Sequence, residues 1–409
     1  MKEKSWPRKI FAGALIVVWL CYAAVNMFVQ APTVAAGIRN GWSLESSLDN
    51  MNQVMNGNYF FQGAFQDANG QMNLITNSEM VSVGGDVSII RGQDGYLYYS
   101  NHFPYETYDF STQALQLQQV QNAVVENGGS LLYVNCMDMY VEGMSESPLP
   151  ISNLNARSDA FLYALMGYDI ASMDARQVLE ESNLDSSQYR YRTEPHWTTE
   201  AGFEVYLALL DWMVEQDDSF ESELAYYANR NNFDHTRYES AFSGQMGMRV
   251  GIPYAGYDDF VLIQPRFETS FTLNYHEKSL LEPKQGDFTS VLLEQRWMDE
   301  EDRYVRNLYN MYLTSLYPLR HISNDLNEDG PKILLIGDTH MLPVASFLAT
   351  AASELDLLWP YGLPDTDDED IENLLDYIEQ NDFDYVIIGQ SPNSLYGNGF
   401  SYLDGITIP

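Results

Sequence analysis

Lys332-Ile333-Leu334-Leu335-Ile336-Gly337-Asp338-Thr339-His340, residues 332–340, is the stretch that decides the fold. Ile333 to Ile336 are apolar without a break, so Lys332–Ile336 reads as a strand buried on both faces. Gly337 permits a tight turn, and Met341–Ala352 beyond it reads as a helix. Leu355–Trp359 follows as a strand, Glu369–Gln380 as a helix and Asp384–Ile388 as a last strand. Strands alternating with helices of this length predict an α/β fold, a parallel sheet covered on both faces in three layers. In such sheets sites form at the carboxyl ends of strands, which is where Asp338 and Thr339 fall. The turn lifts Thr339 to a helix N-terminus, where backbone N–H groups can stabilise an oxyanion.

Working back along the chain, Thr198–Gln216 reads as an amphipathic helix with Ala201, Val205, Leu209 and Trp212 on one face. Ser130–Asn135 is a buried apolar run that follows a helix over Thr112–Gly128, and Asp169–Met173 precedes another over Ala175–Ser182. Val87–Arg91 and Tyr96–Tyr99 flank an Asp-Gly turn and predict a hairpin. Residues 226–300 are rich in Tyr, Phe, Thr and Gly and read as a β-rich insertion. Just before the amphipathic helix lies Arg192-Thr193-Glu194-Pro195-His196-Trp197-Thr198-Thr199. In an extended segment Glu194 and His196 face the same side, so the carboxylate can orient the imidazole through Nδ1. A hydroxyl, a histidine and a carboxylate are the parts of a hydrolase or acyltransferase triad.

In three places the sequence resembles the SGNH hydrolase-like proteins of the DHHW and alginate O-acetyltransferase type. Gly92-Gln93-Asp94-Gly95-Tyr96-Leu97-Tyr98 is similar to their "GxDGWLF" hairpin. Thr193-Glu194-Pro195-His196-Trp197-Thr198 is similar to their Asp-x-His-Trp segment, and Gly337-Asp338-Thr339 to their Gly-Asp-Ser. Phe242-Ser243-Gly244-Gln245-Met246-Gly247 also looks like a stretch found between the last two. The resemblance covers about 85–395 and implies a permuted SGNH α/β/α domain that acts on cell-surface polysaccharide by O-acetyl transfer or ester hydrolysis. It implies Thr339 as nucleophile, His196 as general base and Glu194 as the orienting carboxylate, with Gly337, Asp338 and Trp197 as substrate or oxyanion contacts. It also implies a membrane-bound O-acyltransferase as partner, and no cofactor. The chain departs from the pattern where Thr replaces Ser and Glu replaces Asp, and where Leu357-Leu358-Trp359 occupies the region of an Asp-Leu-Arg. A non-catalytic glycan-binding or assembly protein of the same fold is therefore the alternative, and an exported scaffold of unrelated function a weaker third.

Formal net charge is −37, from 58 acidic and 21 basic residues, which excludes nucleic acid as a partner. Lys2, Lys4, Arg8 and Lys9 precede an apolar run, and no further charge occurs until Arg39. These features predict a cytoplasmic tail over 1–9, a transmembrane anchor over 10–30, a stalk over 31–84 and an extracellular domain over 85–409. A signal peptide cleaved near Val34-Ala35-Ala36 is the rival reading. Cys21 and Cys136 lie on different sides of that boundary, so no disulfide is expected in the exported domain. Asp325-Leu326-Asn327-Glu328-Asp329-Gly330 begins like a calcium loop, but its twelfth position is Ile336, so no metal site is expected.

Overall fold

In the computed structural model the described residues are 13–14, 16–28, 62–85, 87–100, 108–141, 152–276, 279, 281–313, 317–363 and 373–408. The chain divides into two units, residues 1–72 and 73–409. In the first, residues 16–28 are helical and present Val17, Val18, Trp19 and Leu20 at the surface. The cytoplasmic tail expected over 1–9 lies outside the described residues, as does the stalk before residue 62. Among the described residues no helix is long and apolar enough to cross a membrane.

The second unit is built on an eight-stranded sheet. Thirteen strands are described: β1 (Met80–Gly84), β2 (Val87–Arg91), β3 (Leu97–Ser100), β4 (Ser130–Asn135), β5 (Ser172–Asp174), β6 (Phe233–Phe242), β7 (Asp258–Pro265), β8 (Phe271–Tyr275), β9 (Lys284–Gly286), β10 (Leu319–Asn324), β11 (Lys332–Gly337), β12 (Glu354–Leu358) and β13 (Tyr385–Gln390). The large sheet runs β5-β4-β13-β11-β12-β10-β8-β9. Its first five strands pair in parallel, and β10, β8 and β9 extend it antiparallel. The parallel part matches the alternation read from the sequence. β8 and β9 come from the stretch read as an insertion, so that stretch lengthens the main sheet as well as forming the β6–β7 hairpin.

Alternate residues of the central strands enter different cores, as a period of two requires. Leu132, Val134, Ile333, Leu335, Leu355 and Ile387 pack on one face with the Thr199–Gln216 and Met341–Ala351 helices. Leu131, Tyr133, Leu334, Ile336, Val386 and Ile388 pack on the other with the Ser111–Glu126, Asn155–Met166 and Leu374–Asn381 helices. The result is three layers, α/β/α.

The hairpin expected over 87–99 is β2–β3, turned at Gly95 with φ +82°. β1 adds a third strand on the far side of β2, inside the stretch expected as stalk. This small sheet holds the Ser187–Arg192 stretch. Leu97 N–H donates to Arg192 O at 2.8 Å, and Arg190 donates back to Leu97 O at 2.9 Å. The Arg190 guanidinium lies 4.9 Å from the Tyr96 ring centre and 4.6 Å from that of Tyr98. The hairpin thus fixes the start of the segment that carries Glu194 and His196.

Candidate active site

Thr339 sits where β11 ends and the Met341–Ala351 helix begins, at the carboxyl edge of the sheet. Gly337 is needed for space rather than for a turn dihedral. A Cβ there meets Met341 Cβ at 2.8 Å, and one on its paired neighbour Gly389 meets Met341 Sδ at 2.5 Å. Two glycines side by side therefore let Met341 lie across the strand ends, which brings Thr339 close to the sheet.

The Thr193–Thr198 segment approaches from the hairpin side. Asp258, buried at the start of β7, accepts from Arg192 N–H and Thr193 N–H, each at 2.8 Å, and from the Thr193 hydroxyl. Thr193 O in turn accepts from Met246 N–H at 3.0 Å and Gly247 N–H at 3.1 Å. The Phe242–Gly247 stretch is therefore the floor under Glu194. Gly244 is required there, since a Cβ on it falls 2.4 Å from Glu194 Cβ and 2.7 Å from Glu194 Cα.

These supports bring Thr339, His196 and Glu194 into one relay. His196 Nε2 is 2.7 Å from Thr339 Oγ1, and His196 Nδ1 is 2.6 Å from Glu194 Oε1. The other Glu194 oxygen accepts from Gln245 N–H at 2.7 Å and from Asn307 Nδ2 at 3.1 Å. The carboxylate is 1 % exposed, and these three donors fix it despite the extra methylene of Glu. Tyr309 stacks on the His196 ring at 4.1 Å with the planes 11° apart, and its hydroxyl donates to Thr339 O at 2.8 Å. Burial lowers the His196 pKa and outweighs the upward pull of the Glu194 hydrogen bond, while His340 lowers it further. A neutral imidazole held by a carboxylate on Nδ1 can take a proton at Nε2.

The remaining candidates have other surroundings. Asp338 Oδ1 accepts from His340 N–H at 2.9 Å, and Oδ2 from Ser391 N–H at 2.7 Å and Ser394 Oγ at 2.6 Å. Its carboxylate therefore ties the loop after β13 to the turn that carries Thr339 and offers acceptors, whereas an oxyanion needs donors. Among the amides of residues 338–342, Asp338, His340, Met341 and Leu342 donate to Gly389 O, Asp338 Oδ1, Asp338 O and Thr339 O. Thr339 N–H has no acceptor among the described residues and is the free donor of this turn. Trp197 is fully buried and faces His340 edge-on at 5.5 Å, a packing position with no surface left for a ligand. Cys136, packed near Met341, is pushed well up by burial and remains a thiol. No group of His, Cys, Asp and Glu among the described residues could hold a metal ion.

Asn307 and Tyr309 give no sequence signal, because Asn307-Leu308-Tyr309 carries neither periodicity nor a motif. The Gly-Gln pair at 244–245 had one, in the stretch likened to DHHW-type proteins.

No protein-family model matches the chain, and no curated protein does. Solved structures do. A DHHW family protein from Eubacterium siraeum aligns over 81% of this chain and 98% of its own, at 14% identity and TM-score 0.55. Bacillus cereus PatB1 aligns over 77% and 99% at 14% identity and TM-score 0.59. PatB1 with a sulfonyl adduct aligns over 78% and 99%, at 14% identity and TM-score 0.61. The chain thus shares its fold with the type it resembles in sequence.

Proposed function

We propose that this protein moves or removes O-acetyl groups on cell-envelope polysaccharide through an acyl-enzyme formed on Thr339. The observation that carries the reading is the continuous relay from Thr339 Oγ1 through His196 to Glu194, at 2.7 and 2.6 Å. Thr339 Oγ1 attacks the acyl carbon and His196 Nε2 takes its proton, while Glu194 stabilises the imidazolium through Nδ1. Thr339 N–H is the donor available to the developing oxyanion. Expulsion of the donor alcohol leaves acyl-Thr339, which a sugar hydroxyl or water then resolves. The methyl group of Thr narrows the approach to Oγ1 without blocking its hydrogen bond to His196.

The substrate class comes from the resemblance and the shared fold. Attachment to a membrane by the N-terminal segment is part of the same proposal, supported by the basic start, the apolar run and the exposed apolar residues 16–20. The extracellular setting goes with that attachment, and a membrane-bound O-acyltransferase partner rests on the resemblance alone.

The test is turnover of an O-acetylated polysaccharide by the full chain and by Thr339→Ala and His196→Ala. Each substitution should lower kcat by about 10³-fold or more while the fold is kept, by analogy with triad removal in general. Wild-type binding with no turnover in any acetyl assay would favour the glycan-binding alternative.

A further inference from the structure

His340 is a titratable group beside the relay that the relay does not use. It follows Thr339 directly, its side chain is 8% exposed, and its ring centre lies 4.6 Å from that of His196. Its Nδ1 is buried 3.3 Å from Asp338 Oδ1, outside good hydrogen-bond alignment. Burial works to raise the Asp338 carboxyl, yet His340 and the Ser391 and Ser394 hydrogen bonds hold it well below the usual carboxylate range. Asp138, also buried, accepts from Met139 N–H and Leu154 N–H, and the charge of His340 acts on it only weakly. A second imidazole with a carboxylate on its Nδ1 side thus stands next to the first.

In the resting site His196 is committed to Thr339. Both of its nitrogens are engaged and Tyr309 is stacked on its ring, so it is pinned toward Thr339. A departing alcohol needs a proton, and an incoming one must lose its own.

We propose that His340 is a second proton-transfer group of this site, serving the departing and incoming alcohols while His196 serves Thr339. The proposal rests on the nucleophilic reading of Thr339 above. In the first half-reaction Thr339 Oγ1 bonds to the acyl carbon and its proton passes to His196. The donor C–O bond breaks, and the departing oxygen takes a proton from His340. In the second, the acceptor hydroxyl gives its proton to His340 as it bonds to the acyl carbon. The bond to Thr339 breaks and Oγ1 recovers its proton from His196, so each imidazole ends as it began.

The test compares two acetyl esters with the full chain across pH. p-Nitrophenyl acetate has a leaving group that departs as an anion, whereas a 6-O-acetyl glucoside releases an alkoxide that must be protonated. The aryl ester should show kcat/KM rising with pH to a plateau. The sugar ester should show a bell, its alkaline limb reporting the group that protonates the departing alkoxide, in a site whose charged or titratable groups beside His340 are Asp338, Asp138, His196, Glu194, Tyr309 and Cys136. His340→Gln should slow acylation by the sugar ester about 10²–10⁴-fold. It should slow the aryl ester about ten-fold less than that or better. Identical pH profiles for the two esters in the wild type overturn the proposal, even where the variant does not fold. An equal loss on both esters in a folded variant also overturns it. Acylation that persists in Thr339→Ala sinks the nucleophile reading itself, a separate result.

Discussion

Replacing Gly244 by Ala tests whether the relay depends on the exact seat of Glu194 without touching any of its three members. Gly244 has φ −73° and ψ −176°, extended backbone that Ala adopts freely, so space alone opposes the change. The added Cβ falls 2.4 Å from Glu194 Cβ, 2.7 Å from its Cα and 2.8 Å from its N. No flexible side-chain end is among these atoms, so Glu194 or the Gly244 backbone must retreat by about 1 Å to reach ordinary contact. Retreat of the carboxylate along the 2.6 Å bond to His196 Nδ1 stretches it beyond hydrogen-bond range. Overpacking of this kind costs about 1–3 kcal/mol of stability. A misplacement of about 1 Å costs on the order of 10² in rate, or about 2.7 kcal/mol. The assay is the acylation burst with p-nitrophenyl acetate by stopped flow, with a thermal melt run in parallel. A variant that melts lower yet bursts at the wild-type rate would refute the reasoning, because Glu194 would then have moved without consequence.

Other outcomes follow from the same geometry. Thr339→Ser removes the methyl beside Oγ1 and should acylate about 3–10-fold faster, measured by the same burst. Glu194→Gln keeps the shape but loses the charge that supports the imidazolium, and should slow the burst by about 10²–10⁴-fold. Because the folded His196 pKa is lowered, the base remains neutral below the ordinary histidine range. The acid limb of acylation should therefore lie below that range, with activity lost as pH falls through the folded value. Asp338→Asn weakens the hydrogen bonds from His340, Ser391 and Ser394, and should lower stability by about 1.5–3 kcal/mol by denaturant titration. Since the folded Asp338 pKa is depressed, its contribution is full above the ordinary carboxylate range and is lost as pH falls from there toward the folded value, so wild type and variant should converge in acid.

The central strands were legible because each is a short apolar run ending in a turn signal. Lys332–Ile336 became Lys332–Gly337, and Ser130–Asn135 kept both ends. Thr198 caps the Thr199–Gln216 helix by accepting from Ala201 N–H, so the helix starts one residue later than read. β10 was hidden because its inward positions are Arg320, Ile322 and Asn324. Arg320 Nη1 donates to Leu313 O, and Asn324 Nδ2 donates to Ala349 O and Thr350 O, so a buried strand face carries polar residues. Glu194 and His196 could be paired from a spacing of two, because extended backbone puts both on one side. The rest of the site is long-range. Asn307 reaches Glu194 from 113 residues away, and Thr339 meets His196 across 143. Asp338 was expected as a substrate or oxyanion contact, but its Oδ2 is taken by Ser391 and Ser394, more than 50 residues on.

The most direct measurement is the site of acylation. The full chain is mixed with p-nitrophenyl acetate, quenched in acid within the burst, digested and mapped by mass spectrometry. One acetyl group on Thr339, absent from His196→Ala, is the expected result. A burst with the acetyl group on any other residue, or turnover with Thr339 never modified, contradicts the acyl-Thr339 route.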